Sequence, residues 1–138
     1  MAKTFTAPFA QTPKTATAVT TGACASIDGD TPTNTVELMT AGADGCIVTE
    51  ISAMPRGTVT ASNLVIFISK DSGTTKRLVS SVLMAAHTVA ATTAIPITVF
   101  SEITETAPLR LEAGDKLYVG NQVALADGVV FKAEYTDF

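Results

Sequence analysis

The residues of this chain that could carry out nucleophilic or acid–base chemistry are few and widely spaced. His87 is the only histidine, and no G-x-S-x-G pattern is present to place a serine nucleophile at a strand-to-helix turn. A single histidine outside such a pattern is more often a structural residue than a catalyst. We therefore expect His87 to have no catalytic role.

Carboxylates are grouped in one part of the sequence, at Glu102, Glu105, Glu112 and Asp115. Paired carboxylates can act as general acid and base when a fold brings them to the two sides of a substrate. In a β-rich chain, however, sequence spacing says little about spatial distance, and nothing here marks a cleft. The pattern favours solvated loop and turn residues.

Two further groups of residues have the chemistry of metal ligands. Asp28-Gly29-Asp30 with Asn34 offers oxygen atoms in a loop, but an EF-hand would close with Glu at the position that Met39 occupies. Cys24 and Cys46 lack C-x-x-C spacing and histidine partners, which excludes zinc and thioredoxin chemistry. We expect both cysteines to be free and buried, with a disulfide between them only if their strands meet.

No phosphate-binding loop is present either, because Gly73-Thr74-Thr75-Lys76 lacks the G-x-x-x-x-G-K frame. The sequence thus predicts no catalytic, cofactor-binding or metal-binding residue and a protein that is not an enzyme. The net charge of −4 and the absence of a basic cluster larger than Lys76-Arg77 also predict no nucleic-acid partner.

Only 16% of the residues are charged while 46% are hydrophobic, and the mean hydropathy is +0.34. So little charge indicates that part of the surface is covered, with a copy of the same chain as one candidate. No apolar run reaches the length of a membrane span, and polar residues and prolines interrupt the N-terminus where a signal peptide would be apolar. The expected place of synthesis is therefore a cytoplasm, with no membrane partner.

The elements that would position these residues are short β-strands, because Val, Ile and Thr are abundant and turn residues recur every 10–15 positions. We predict an all-β fold: an antiparallel two-sheet sandwich, jelly-roll-like, with eight or nine strands. One domain, 15–138, follows an extended N-terminal arm, 1–14. The predicted strands are 15–20, 35–40, 46–54, 64–69, 76–84, 95–100, 109–112, 116–119 and 128–135, with a loop over 85–94.

Two stretches carry the signature of a β-hairpin. Leu64–Ser69 is apolar on both faces, which predicts a central strand, and the turn Lys70–Gly73 should return it into 76–84. Pro108–Gly120 reads P-L-R-L-E-A-G-D-K-L-Y-V-G, with leucines alternating on either side of Ala113-Gly114-Asp115. This second stretch predicts two strands paired with each other through a tight turn.

The predicted arm contains Pro8 and Pro13, which favour extended geometry, and two apolar anchors, Phe5 and Phe9. One interpretation folds the arm back on its own domain. The other docks it on a neighbouring subunit by strand addition.

Parts of the sequence resemble a known group of proteins. Val59–Val79 (V-T-A-S-N-L-V-I-F-I-S-K-D-S-G-T-T-K-R-L-V), followed by Leu83–Val89 (L-M-A-A-H-T-V), resembles small virion structural proteins of tailed bacteriophages, many of them head decoration proteins. Pro108–Gly120 fits the same group and is also similar to the penultimate hairpin of trimeric jelly-roll modules of the C1q and tumour-necrosis-factor type.

The resemblance implies a structural virion protein that decorates or cements a phage head without catalysis. Its implied partners are further copies of itself, as a homotrimer, and the major capsid protein. Its implied location is the head surface, after assembly in the host cytoplasm. An alternative is a fibre or spike module that binds a host-surface glycan or receptor through its few aromatic residues, Tyr118, Tyr135 and Phe138.

Overall fold

The computed structural model describes residues 12–138, which form nine β-strands and contain no helix. The predicted all-β class and strand number are confirmed. The strands are β1 (Thr12–Thr20), β2 (Val36–Thr40), β3 (Cys46–Pro55), β4 (Ser62–Ser69), β5 (Arg77–Met84), β6 (Thr98–Val99), β7 (Leu109–Leu111), β8 (Lys116–Asn121) and β9 (Val129–Asp137).

The strands build two antiparallel sheets. Sheet A has the order β1-β9-β3-β6, with β7 also paired to β3, and sheet B has the order β2-β8-β4-β5. Because β6 and β7 share the same edge of β3, they occupy one strand position between them. The eight resulting positions run 1-8-3-6 and 2-7-4-5, which is a jelly roll.

The core lies between the inner faces of the two sheets. Phe131 of β9 packs against Phe100, with ring centroids 6.4 Å apart, and both side chains are fully buried. Ile51 of β3 and Leu64 and Ile66 of β4 fill the same layer. Apolar burial on this scale is the main stabilising contribution to the sandwich.

The first predicted hairpin is confirmed. β4 pairs with β5 in antiparallel register, and β4 lies inside sheet B between β8 and β5, with four consecutive fully buried residues, Leu64–Phe67. The turn that joins them contains Gly73 at a φ of +94°, a conformation open to glycine at no steric cost.

The second predicted hairpin is wrong. The turn itself forms, with Gly114 at a φ of +78° and the Asp115 amide bonded to the Glu112 carbonyl, but its two strands belong to different sheets. β7 pairs with β3 in sheet A, whereas β8 pairs with β2 and β4 in sheet B. Because β8 has a partner on each edge, none is left for β7, and the turn is a corner between the sheets.

Two β-bulges change which side chains of β2 and β3 face the core. In β3 the register shifts between Val48 and Glu50, so Cys46 and Val48 and then Ile51 and Ala53 face the core. In β2 the shift between Glu37 and Met39 buries both Leu38 and Met39 and leaves Val36 exposed. An extra residue reverses the alternation of all later side chains.

The strand ends differ modestly from expectation. β1 begins at Thr12, so residues 12–14 of the expected arm pair with β9, and Pro13 lies on an edge strand, where a missing donor is tolerated. The rest of the arm, with both of its proposed docking modes, lies outside the described residues. Of the predicted strand 95–100, only Thr98–Val99 pairs.

Candidate interaction surfaces

The residues that could carry out chemistry do not lie together in one site. His87 joins its backbone to Val59 through two hydrogen bonds of 2.9 and 3.0 Å, and so closes the loop after β5 onto the β3–β4 connection. Glu102 and Glu105 are exposed in the loop between β6 and β7. Glu112 and Asp115 flank the corner turn. This distribution leaves Glu102 and Glu105 on the surface and gives His87 a backbone contact between two loops.

Asp115 is not the solvated turn residue that the sequence pattern favours, because only 4% of its surface is exposed. Its carboxylate accepts hydrogen bonds from the Glu112 amide at 2.9 Å and from Lys70 Nζ at 2.7 Å. Lys70 belongs to the β4–β5 turn, so one buried carboxylate ties the two turns together. The same contact raises the pKa of Lys70, chiefly through its hydrogen bond to Asp115.

Asp30 and Asn34, two of the possible calcium ligands, are engaged in contacts within the chain. Asp30 forms an ion pair with Arg77 at 3.3 Å, and its carbonyl accepts the Lys76 amide. Asn34 donates its side-chain amide to the Ala23 carbonyl. Within residues 12–138, no group of three or more His, Cys, Asp or Glu side chains is placed to hold a metal ion.

Both cysteines are free and buried, as expected. Cys46 lies in the core between the sheets, whereas Cys24 packs with Val65 and Phe67 on the outer face of sheet B. Burial raises the pKa of the Cys46 thiol to about 12, and burial likewise raises that of Cys24. Both are therefore protonated at neutral pH and poor nucleophiles.

The three aromatic residues considered for sugar stacking have different surroundings. Tyr118 packs against the Cys24 cluster, and Lys76 Nζ lies 4.6 Å from the centre of its ring. The backbone amide of Phe138 donates to the Gly45 carbonyl. Tyr135 is half-buried, packs against the core between the sheets and borders a cavity of about 300 Å³ at the β1–β9–β3 end of sheet A.

That cavity is polar. Besides Tyr135 it is lined by Lys14, Thr15, Thr49 and Glu134, among others. Thr49 is the extra residue of the β3 bulge, and its hydroxyl donates to the Glu134 carbonyl at 3.2 Å. Bulges often re-aim side chains beside binding sites, so the cavity is one candidate site.

A second candidate is an apolar row across the outer face of sheet A. Val19, Val130 and Met54 are neighbours in register on β1, β9 and β3, and Ile97 continues the row just before β6. Met54, Val130 and Ile97 also line a shallow cavity of about 190 Å³. Ile97 is 59% exposed and Val99, on the adjacent row, 44%.

The sequence did not reveal this row because its members come from distant segments that only the strand register aligns. A partial signal was present in Val129-Val130-Phe131, a run that is apolar on both faces of β9.

No helix among residues 12–138 is long and apolar enough to cross a membrane. No protein-family model and no curated protein match the chain at a significant level.

Two solved structures are similar in part, those of infectious bursal disease virus strains Gx and Gt. They are each 14% identical, with TM-scores of 0.32 and 0.31, over 93% and 99% of this chain. The chain spans about a third of the length of each, 33% and 36%. At this TM-score the likeness establishes neither a shared fold nor a shared function.

Proposed function

We propose that this protein is a structural, non-catalytic component of a virion, and that it decorates or cements the head of a tailed bacteriophage. The resemblance of Val59–Val79 and Leu83–Val89 to small virion proteins of such phages supports the proposal. Residues 12–138 also form a jelly-roll sandwich, an architecture that capsid proteins often use.

The observation that carries the proposal is the partly exposed apolar row Val19–Val130–Met54–Ile97 on the outer face of sheet A. It crosses at least three strands on an open sheet, so it suits a broad partner surface better than a small ligand. The low charge of the chain fits contacts held by shape and apolar burial more than by electrostatic steering.

The partners in this proposal are further copies of the chain, as a homotrimer, and the major capsid protein. The site of action is the outer surface of the head, after assembly in the host cytoplasm.

The first test is the copy number of the protein in purified particles, measured by quantitative mass spectrometry against the major capsid protein. A number comparable with that of the shell protein is the expected result. A few copies per particle would instead indicate a fibre, spike or connector, and complete absence would overturn the virion role.

The apolar row is tested by co-sedimentation of the purified protein with shells that lack it. Ile97→Asp places a charge in the row and should abolish binding while leaving the thermal unfolding temperature unchanged. Val123→Asp is a matched control, because Val123 is an exposed valine, 42% accessible, in the β8–β9 turn away from the row. Equal loss in both variants would show that the row is not the contact.

A second candidate function is a fibre or spike module that binds a glycan, and the cavity beside Tyr135 favours it. Sugars stack on aromatic rings and hydrogen-bond to hydroxyl and carboxylate groups, and Tyr135, Thr15, Thr49 and Glu134 supply both. Glycan-array binding that disappears in Tyr135→Ala would establish this function. Array binding that persists in the variant, or none at all, would leave the cavity without a role.

A further inference from the structure

The outer edge of β5 is the most open strand edge of the sandwich. β5 pairs with β4 on one side, and no strand within residues 12–138 pairs with its other side. It is eight residues long, and three of its side chains are large, apolar and exposed: Leu78 at 41%, Val79 at 42% and Leu83 at 64%. Its only charged residue is Arg77.

The other long edges carry features that discourage pairing. β1 contains Pro13, which has no amide donor, and Lys14, which forms a 2.7 Å ion pair with Asp137. β2 carries Glu37, which binds Lys116 of β8 at 2.8 Å. Proteins commonly protect edge strands with proline and charged side chains, and along β5 both are absent beyond its first residue.

A bulge gives β5 a symmetry that its sequence alone does not have. Leu78 and Leu83 are five positions apart and would face opposite sides of a regular strand. The register shift at Val79 places Leu78 opposite Phe67 and Leu83 opposite Asn63, both on the outer face of sheet B. Ser81, opposite Val65, lies on the same face, two ladder positions from each leucine.

We propose that this edge binds a second copy of itself, with two β5 strands antiparallel about a two-fold axis through Ser81. In that register Leu78 of each copy lies opposite the partner's Leu83, and the two Ser81 residues face each other. Such an isologous contact requires a self-complementary surface, which the Leu78–Ser81–Leu83 spacing supplies. The two four-stranded sheets would join into one of eight strands, in the order β2-β8-β4-β5-β5-β4-β8-β2.

The charges of β5 are compatible with this arrangement. Each Arg77 lies at one end of the ladder, opposite the partner's Met84, so the two guanidinium groups stay apart. Arg77 also has its own counter-ion in Asp30, and both side chains remain mostly accessible. The contact therefore buries leucine without burying a charge. It is a two-fold contact, distinct from the three-fold contact of the proposed homotrimer. It depends on the β5 edge alone and stands or falls separately from the virion role.

Disulfide trapping tests the register. In antiparallel strands, directly opposed Cα atoms lie about 4.5–5.5 Å apart, within the range of about 4.4–6.8 Å that a disulfide spans. Ser81→Cys, treated with a mild oxidant, should therefore give a covalent dimer on a non-reducing gel. Cys24 and Cys46 are 3% and 0% exposed and should not contribute.

Three control variants make the result specific. Leu83→Cys alone should not cross-link, because the two Leu83 positions are four ladder steps, or roughly 13 Å, apart. Combined with Leu78→Cys, it should cross-link fully. Ser101→Cys, in an exposed loop, reports random collision. Cross-linking of Ser81→Cys no greater than that of Ser101→Cys would overturn the proposal.

Sedimentation equilibrium tests the contact without cross-linking. Leu83→Lys should raise the dimer dissociation constant about 100-fold, because the two-fold axis places the charge in the interface twice. Thermal unfolding of the variant should match that of the parent at concentrations where both are monomeric, since Leu83 is largely exposed. A parent protein that stays monomeric, or that forms trimers unaffected by Leu83→Lys, would also overturn the proposal.

Discussion

Two turns of this molecule use the same turn residues, a glycine and an aspartate, and have opposite outcomes. Lys70–Lys76 returns the chain within sheet B and makes the β4–β5 hairpin, whereas Ala113–Asp115 sends it from sheet A to sheet B. Both contain a glycine at positive φ and an aspartate that accepts a backbone amide. Turn chemistry therefore decides that the chain reverses, and the free strand edges decide where the next strand pairs.

The surroundings of the two turns also differ. The hairpin turn lies against Tyr118 on the outer face of sheet B, and Ser69 Oγ accepts the Gly73 amide at 2.8 Å. The corner turn has open space around Gly114, but its aspartate is buried. Substitutions at equivalent positions of the two turns should therefore lower the free energy of unfolding by different amounts.

The largest difference is expected between the two glycines. A Cβ at Gly73 would collide with the phenol oxygen of Tyr118, whereas one at Gly114 meets nothing within 4 Å. Gly73→Ala should lower the free energy of unfolding by about 3 kcal/mol, from positive φ and the clash together. Gly114→Ala should lower it by about 1 kcal/mol, from φ alone. Urea denaturation of both variants measures the difference.

A double variant separates the two contributions at Gly73. In Tyr118→Phe the phenol oxygen is absent and only the ring carbon Cζ, 3.1 Å from the added Cβ, still crowds it. Adding Gly73→Ala there should therefore cost about 1–2 kcal/mol, closer to the change at Gly114. An unchanged cost would assign the whole effect to backbone strain and remove the contrast between the turns.

An intermediate effect is expected from the aspartate of the corner. Asp115→Ala leaves the Glu112 amide without its acceptor and removes the buried partner of Lys70. The free energy of unfolding should fall by about 2 kcal/mol. Glu112→Ala is the control, because Glu112 is an exposed partner of the same lysine at 3.5 Å and should contribute little. Equal effects of the two changes would refute the structural role of Asp115.

The smallest effect concerns Asp71 in the hairpin turn. Hydrogen bonding from the Thr75 amide lowers the pKa of Asp71 below its ordinary value of 3.8. A lowered folded-state pKa contributes stability that is fully present above about pH 4 and is lost as pH falls through the folded-state pKa. Asp71→Asn should therefore be less stable than the parent at neutral pH, and the difference should shrink below pH 4. A gap that stays constant from pH 7 to pH 3 would contradict this.

The parts of the fold that the sequence predicted correctly are those in which local and global preferences agree. Leu64–Phe67 is apolar on both faces and is buried on both, because loop residues such as Cys24 cover the outer face of sheet B. β9 alternates as expected, with Val129, Phe131 and Ala133 facing inward. In both strands the local pattern was sufficient to predict which side chains are buried.

The incorrect predictions have a shared physical cause. A bulge adds one residue that leaves no trace in composition, yet it reverses every later face, as after Val48 and Glu37. The partner of β7 depends on which strand edge is free, and that edge belongs to β3, more than 50 residues earlier. Likewise, the burial of Asp115 requires Lys70, which sequence spacing does not bring near it.

The candidate surfaces were less predictable than the fold. The Val19–Val130–Met54–Ile97 row and the Leu78–Ser81–Leu83 edge both arise from register, in one case across strands and in the other through a bulge.

The position of β9 has a consequence for the order of folding. It is the last strand of the chain, yet it lies between β1 and β3, which have no other strand between them in sheet A. During synthesis, therefore, the edges of β1 and β3 that pair with β9 stay unpaired until residue 137 has left the ribosome. By then β4 and β5 can already have paired with each other. Non-local closure of this kind is slow, in the range of about milliseconds to seconds for β-sandwiches, and exposes nascent chains to aggregation.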